Sequence, residues 1–290
     1  MKLSPRAQKP LDQKEGQPLM VNLALRAQPR VPVRRFGAVN WRGLWTLTSK
    51  EIRRFLKIPI QTIVSPLVMT MLFYAVFALG MRDVPHVGAV PFLIFVMPGL
   101  IMMNMAQSAF MNSSSSLTLS KLQDNIVDVL MAPLSPFELT LGFAIGGLVR
   151  GLMVGLVSYL ALLFVGSLQV EYIFFALYFA VMGSLMLSLM GVITGIWADK
   201  FDQVGGILNF IIMPATFLSG TFFSVTSVPE GWRALCYGNP FFYMIDGFRY
   251  GFTGVPDHPV VVSMAVMMIM NLALFAITYL LFDSGIFLKK

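Results

Sequence analysis

Six stretches of the chain are apolar over about 20 residues or more, at roughly 58–80, 90–112, 139–166, 172–197, 204–224 and 260–283. At ~1.5 Å of rise per residue, each is long enough to cross the ~30 Å hydrocarbon core of a bilayer as a helix. The pattern predicts an all-α, polytopic membrane protein of six transmembrane helices. Two of the intervening segments are long. Residues 113–138 fall on one side of the membrane and residues 225–259 on the other.

Ahead of the first span the pattern is different. Residues 1–37 are rich in Lys, Arg, Gln and Pro, a composition that buries too little apolar surface to order itself, and they read as a disordered basic tail. They contain no apolar run resembling a signal-peptide core, so no cleaved signal is expected. In residues 38–57, Trp41, Leu44, Trp45, Thr48, Ile52, Phe55 and Leu56 share one side of a helix. Arg42, Lys50, Arg53, Arg54 and Lys57 share the other. Tryptophans beside an apolar stripe, with cations opposite, describe a helix lying in the membrane interface; the alternative is an amphipathic helix packed on protein. Residues 58–290 then form the transmembrane domain.

Composition agrees with the pattern: 57% of the 290 residues are hydrophobic and 12% charged. The net charge of +7 belongs to the N-terminal part, where residues 1–57 hold 13 Lys/Arg against 3 Asp/Glu and leave 8 against 11 for the rest. A basic arm that leads into apolar spans fits lipid headgroups or a cytoplasmic address better than nucleic acid, and no nucleic-acid partner is expected. Arg53, Arg54 and Lys57 flank the first span, and Lys289 and Lys290 close the chain. With an even number of spans, both termini are expected in the cytoplasm.

The chemistry that the chain lacks narrows its function. No Gly-x-x-x-x-Gly-Lys-Ser/Thr loop occurs to cradle a phosphate, so ATP hydrolysis is not expected of this chain. His86 and His258 fall in loops, no His-Glu-x-x-His pair is present, and no catalytic residue or metal site is expected. The lone Cys236 reads as a small packed residue. Glu138, Glu171 and Asp283 sit near span ends, which argues against a proton-driven carrier. Arg150 lies about 18 Å into the third span. Either it contacts an anionic group on a transport path, or it snorkels or pairs with a carboxylate.

Small residues recur at four-residue steps in the third span (Gly142, Gly146; Gly147, Gly151, Gly155) and at steps of three or four in the fourth (Ser184, Ser188, Gly191, Gly195), as in helices that pack closely in lipid. Pro214 is expected to bend the fifth span, and Ser219-Gly220 gives a break before its end among Phe217, Phe222 and Phe223. The aromatic residues of 225–259, among them Trp232, Tyr237, Phe241, Phe242, Tyr243, Phe248 and Tyr250, suit short helices dipping into the outer interface. In the 113–138 segment, the serines at 113–116 read as a helix-ending cluster. Leu119, Leu122, Ile126, Val129 and Leu130 then recur at helical spacing opposite Lys121, Asp124, Asn125 and Asp128, up to Pro133 and Pro136.

Several groups of residues, in order, resemble the type-2 permeases of ABC exporters, in particular the branch typified by the Yad and nodulation-factor permeases. They are Lys50-Glu51, Arg54-Phe55, Phe95 with Pro98-Gly99-Leu100, Asn125-Ile126 to Ala132-Pro133, Arg150-Gly151, Asn209, Pro214, Leu218-Ser219-Gly220, Pro229, Asn239-Pro240 and Gly247-Phe248-Arg249-Tyr250-Gly251. The likeness runs from about residue 40 to the end. It implies a homodimer in the bacterial inner membrane, partnered by a separate ABC ATPase that binds ATP and Mg²⁺, with no cofactor on this chain. It implies a coupling helix at 113–138, with Asp124, Asn125, Ile126, Asp128, Leu130 and Pro133 meeting the ATPase, and outer re-entrant helices before the sixth span. Arg150, Pro214, Phe217, Gly220, Phe222 and Phe223 are the candidates for a substrate path, and Asn209, Pro240 and Arg249 for structural positions. An amphipathic or lipid-linked cargo is the expectation. The competing readings are a secondary carrier or channel without an ATPase, and a membrane scaffold that does not transport.

Overall fold

The computed structural model describes residues 39–80, 86–87, 90–165 and 168–286. The expected basic tail, residues 1–37, lies outside the described residues. Helix α1, Trp41–Leu56, begins at Asn40, whose side chain accepts a hydrogen bond from the Gly43 amide and so caps it. The chain then turns into a π-helical segment, Ile60–Val64, that continues as α2, Ser65–Gly80. A two-residue antiparallel pair, β1 (His86–Val87) with β2 (Val90–Pro91), leads to α3, Phe92–Leu122. Next come the short α4, Ile126–Met131, and the long α5, Pro136–Val165, and α6, Ile173–Trp197.

A further helical run is built from α7 (Phe201–Ile207), the π-helical segment Leu208–Ile212 and α8 (Met213–Phe217). It is followed by a 3-10 turn at Val225–Ser227, by α9 (Glu230–Tyr237), α10 (Pro240–Thr253) and the last long helix, α11 (Val260–Ser284). Among the described residues the fold is all-α apart from the small hairpin, and five helical segments are long and apolar enough to cross a membrane.

The fifth predicted span, 204–224, is the one that differs. Its helical run covers residues 201–217, which reach ~25 Å by helical rise and fall short of the ~30 Å hydrocarbon core. The run stops because the Leu218 and Ser219 amides turn back to Pro214 and Thr216, and Gly220 then takes a φ of +73°. Pro214 has no amide hydrogen for the Phe210 carbonyl, and the preceding π-helical segment re-spaces the hydrogen bonds around that gap. The first span repeats the device, with Ile60–Val64 preceding Pro66.

The serines at 113–116 end no helix. The second span was expected to stop at residue 112, but α3 runs through to Leu122. The hydroxyls of Ser114 and Ser115 donate to carbonyls four residues back, which leaves the helical ladder intact. The helix ends instead at Asp124, a non-glycine residue with φ +56°, where the Asn125 amide reaches the Ser120 carbonyl at 2.9 Å.

Helix α3 is the centre of the bundle, with 83% of its most apolar window buried against 6% for the Ile60–Gly80 span. It packs on α5, α6, α10 and α2. The small-residue stripes are the seams of this packing. A side chain at Gly191 or Gly195 would strike the backbone of α3, and one at Gly151 would lie 2.8 Å from Ser184 Oγ. At the centre of these seams Ser113 and Ser188 hydroxyls meet at 2.7 Å, and Ser188 donates to the Ala144 carbonyl.

Candidate functional site

Polar side chains concentrate at two ends of the bundle. The near end carries α1, α4 and the start of α5. Ser135 and Glu138 form a capping box there: Glu138 Oε2 accepts from the Ser135 amide at 2.7 Å, and Ser135 Oγ accepts from the Glu138 amide at 3.3 Å. The same carboxylate's Oε1 accepts from the Asn40 amide, while the Asn40 side chain donates to the Pro133 carbonyl at 3.0 Å. One buried carboxylate therefore ties the entry of α1, the 124–133 loop and the entry of α5 together. Neither Asn40 nor Glu138 was expected as a functional position, although Ser135-x-x-Glu138 is legible in the sequence as a capping box.

Helix α1 packs on α5 through Leu44, Leu47, Thr48, Glu51 and Phe55. Trp41 and Trp45, 71% and 70% exposed, face away from the protein. The helix rests on protein along one edge and presents an aromatic edge to its surroundings. Arg54 does not belong to a solvated cationic face, as helical spacing alone suggested. It turns inward to Glu51 at 3.3 Å and donates to the Asn112 carbonyl and to Ser115 Oγ. Glu51 is fully buried and accepts from Ser116 Oγ at 2.7 Å.

The expected amphipathic helix of the 113–138 segment is confined to α4, because Leu119 still belongs to α3 and Leu122 is exposed on its last turn. Ile126 is buried, with Val129 and Leu130 packed beside it against Leu117, Leu139 and Ile196. Asp124, Asn125, Asp128 and Pro133 are exposed, and so are the apolar Val127 and Met131. This loop therefore presents a mixed acidic and apolar surface on a backbone anchored by Ile126 from below and by Asn40 at Pro133.

Arg150 reaches a cavity of about 510 Å³ between α1, the first span, α3 and α5. Arg54, Gln61, Thr62, Ser65 and Ser115 line it too. No carboxylate lies within ion-pairing distance of Arg150 among the described residues, and its Nε has no hydrogen-bond partner there. The carboxylate pairing considered for it is not present among the described residues.

At the far end, Phe222 stands at the centre of an aromatic group, with ring centroids 5.1 Å from Phe77, 6.3 Å from Phe73 and 5.5 Å from Phe217. Phe223 leaves that group and packs with Val225, Cys236 and Phe242. Ser65 in the Arg150 cavity and Phe77 in this group lie on one helix, twelve residues or ~18 Å apart. The cavity at Arg150 has none of these aromatic residues in its lining. Asn209 and Pro214 lie on an exposed side of the short helical run, where Phe210 is 83% exposed.

Arg249, fully buried, is the key of the far end: its guanidinium stacks 3.8 Å over the Phe95 ring and donates to the Gly220 carbonyl. Pro240 starts α10 after Asn239, whose side chain caps the helix at Phe241 and donates to Ala215 O and Ser219 Oγ. Asp246 accepts from the Asp257 and His258 amides at 2.9 and 3.2 Å. Burial raises its pKa to about 6, against the opposing pull of Arg249 and of these amides.

Sequence comparison places these features among known proteins. Residues 42–253 match the family described as ABC-2 type transporter. The inner membrane transport permease YadH of Escherichia coli K12 is 36% identical over 248 residues, which cover 84% of this chain and 96% of that protein. The YadH proteins of Escherichia coli O157:H7 and of Shigella flexneri match to the same extent.

Proposed function

Because the chain belongs to the ABC-2 type transporter family and is a membrane subunit of an ABC transporter, we propose that it is a homodimeric inner-membrane exporter permease driven by a separate ATPase. ATP and Mg²⁺ bind that partner, and this chain contributes no catalytic group. Both termini are cytoplasmic, which makes the end bearing α1 and α4 the cytoplasmic one. The short run at 201–217, extended by residues 218–224, completes the sixth crossing, and α9 and α10 are outer re-entrant helices.

The observation that carries this reading is the tie at Glu138. A push on the 124–133 loop is delivered through Pro133 and Asn40 to α1 and, through Ser135, to α5 at the same moment. Asp124, Asn125, Asp128, Val127 and Met131 form the surface that the ATPase engages. The path runs between two protomers, from the region of Arg150 to an outer gate at Phe217, Gly220 and Phe222, and carries an amphipathic or lipid-linked molecule. The test is ATP-dependent transport in vesicles containing the chain and its ATPase. Transport that continues when the ATPase is omitted removes this reading in favour of a carrier or channel.

A further inference from the structure

Arg150 places a guanidinium among apolar spans, where an unpaired charge is costly enough that such groups mark sites where something binds. The nearby charges do not neutralise it. Arg54 faces the same cavity, and its ion-pair partner among the described residues, Glu51, is already held by Arg54 and by Ser116. Two guanidiniums against one carboxylate leave a local excess of one positive charge, and the Nε groups of both arginines have no hydrogen-bond partner among the described residues.

The remaining walls fall into two kinds. Gln61, Thr62, Ser65 and Ser115 supply polar groups, while Phe55, Ile58, Met111, Leu119 and Phe201 supply an apolar surface. The volume, about 510 Å³, is that of a small-molecule site. Two of the lining residues, Ser65 and Phe201, are exposed.

We propose that this cavity binds the phosphate group of an amphipathic molecule from the adjoining leaflet, the phosphate between Arg150 and Arg54 and the apolar part against Ile58 and Phe201. Two forked donors suit the several oxygens of a phosphate ester. The proposal rests on the permease reading for its role, because it names the chemical class of the cargo or of a lipid that accompanies it. Binding itself requires no ATPase.

The test uses the full chain in phosphate-free maltoside micelles, without ATP or ATPase, titrated with dihexanoyl phosphatidic acid and read by native mass spectrometry. Arg150→Gln is expected to weaken binding about tenfold or more, the scale of losing charge-assisted hydrogen bonds, and Arg150→Lys to weaken it less. Dihexanoylglycerol, which lacks the phosphate, should not compete. Inorganic phosphate should compete only at far higher concentration; competition as strong as that of the lipid overturns the amphipathic part of the proposal and leaves a free-anion site. Ser65→Trp, which fills the cavity without touching either arginine, should also abolish binding and decides the matter if Arg150→Gln does not fold. Undiminished binding in both variants overturns the site. A chain that binds the lipid but never supports ATP-driven transport keeps the site and loses the permease reading; transport without lipid binding does the reverse.

Discussion

The near and far ends of the bundle are both held by buried polar groups, but the groups are used differently. At the near end, Glu138 joins segments 98 residues apart, and Glu51 joins α1 to α3 across 65 residues. Those bonds connect separate elements and leave an apolar edge, Val127 and Met131, uncovered. At the far end a single cation, Arg249, is enclosed by an aromatic ring, a carbonyl and a nearby carboxylate. A tie between separate elements can transmit displacement, whereas a buried cation held by one ring and a carbonyl fixes a shape. The near end is a set of ties between separate elements, and the far end is a single enclosed cation.

Variants can break that contrast. The largest loss of stability is expected for Arg249→Ala, which empties the far end of its largest fully buried side chain and leaves Asp246 without its cation. About 3–5 kcal/mol is the scale for orphaning one member of a buried charged group, measurable by thermal unfolding in detergent. Asp246 itself gives the far end a pH dependence. Its folded-state value, about 6, lies above the ordinary 3.8, so the protonated form favours the fold. The contribution is fully present below about pH 4 and is lost as pH rises through 6, on the order of 3 kcal/mol. Asp246→Asn should flatten this slope in melting curves taken from pH 4 to 8.

At the near end, Glu138→Ala should cost about 1–3 kcal/mol by removing the acceptor for two helix entries. Its larger effect should be functional, with ATP hydrolysis by the bound ATPase retained and transport lost. Equal loss of both would mean that the tie is only structural. The smallest stability change, within ~0.5 kcal/mol, is expected for Val127→Asp with Met131→Asp, since both side chains are exposed. If this pair destabilises the fold as much as Arg249→Ala does, the contrast between the two ends fails.

Much of this architecture is readable from hydropathy, because a helix that crosses lipid must be apolar wherever it packs. What a helix faces is not readable in that way. The less apolar α3 is the buried one, since Asn104, Ser113 and Ser116 find partners on Thr70, Ser188 and Glu51. The serine cluster suggested a helix end because free hydroxyls compete for backbone groups; here they donate to carbonyls one turn back and the helix continues. Arg54 sits with the cations on a helical wheel, and only the distant Asn112 and Ser115, with Glu51 one turn away, draw it inward. The resemblance at Arg249, Asn239-Pro240 and Leu218-Ser219-Gly220 falls on residues that interlock at the far end. Asn209 and Pro214, of the same pattern, lie on an exposed side, where a single chain gives them no partner to reveal.

The most direct measurement of the central claim is isolation of the full chain from native membranes with its associated proteins, repeated for the Val127→Asp, Met131→Asp variant. The wild-type chain should carry a protein with a phosphate-binding loop and ATPase activity, and the variant should lose it with an unchanged melting temperature. A wild-type chain that carries no such ATPase, or a variant that retains it fully, would contradict the account.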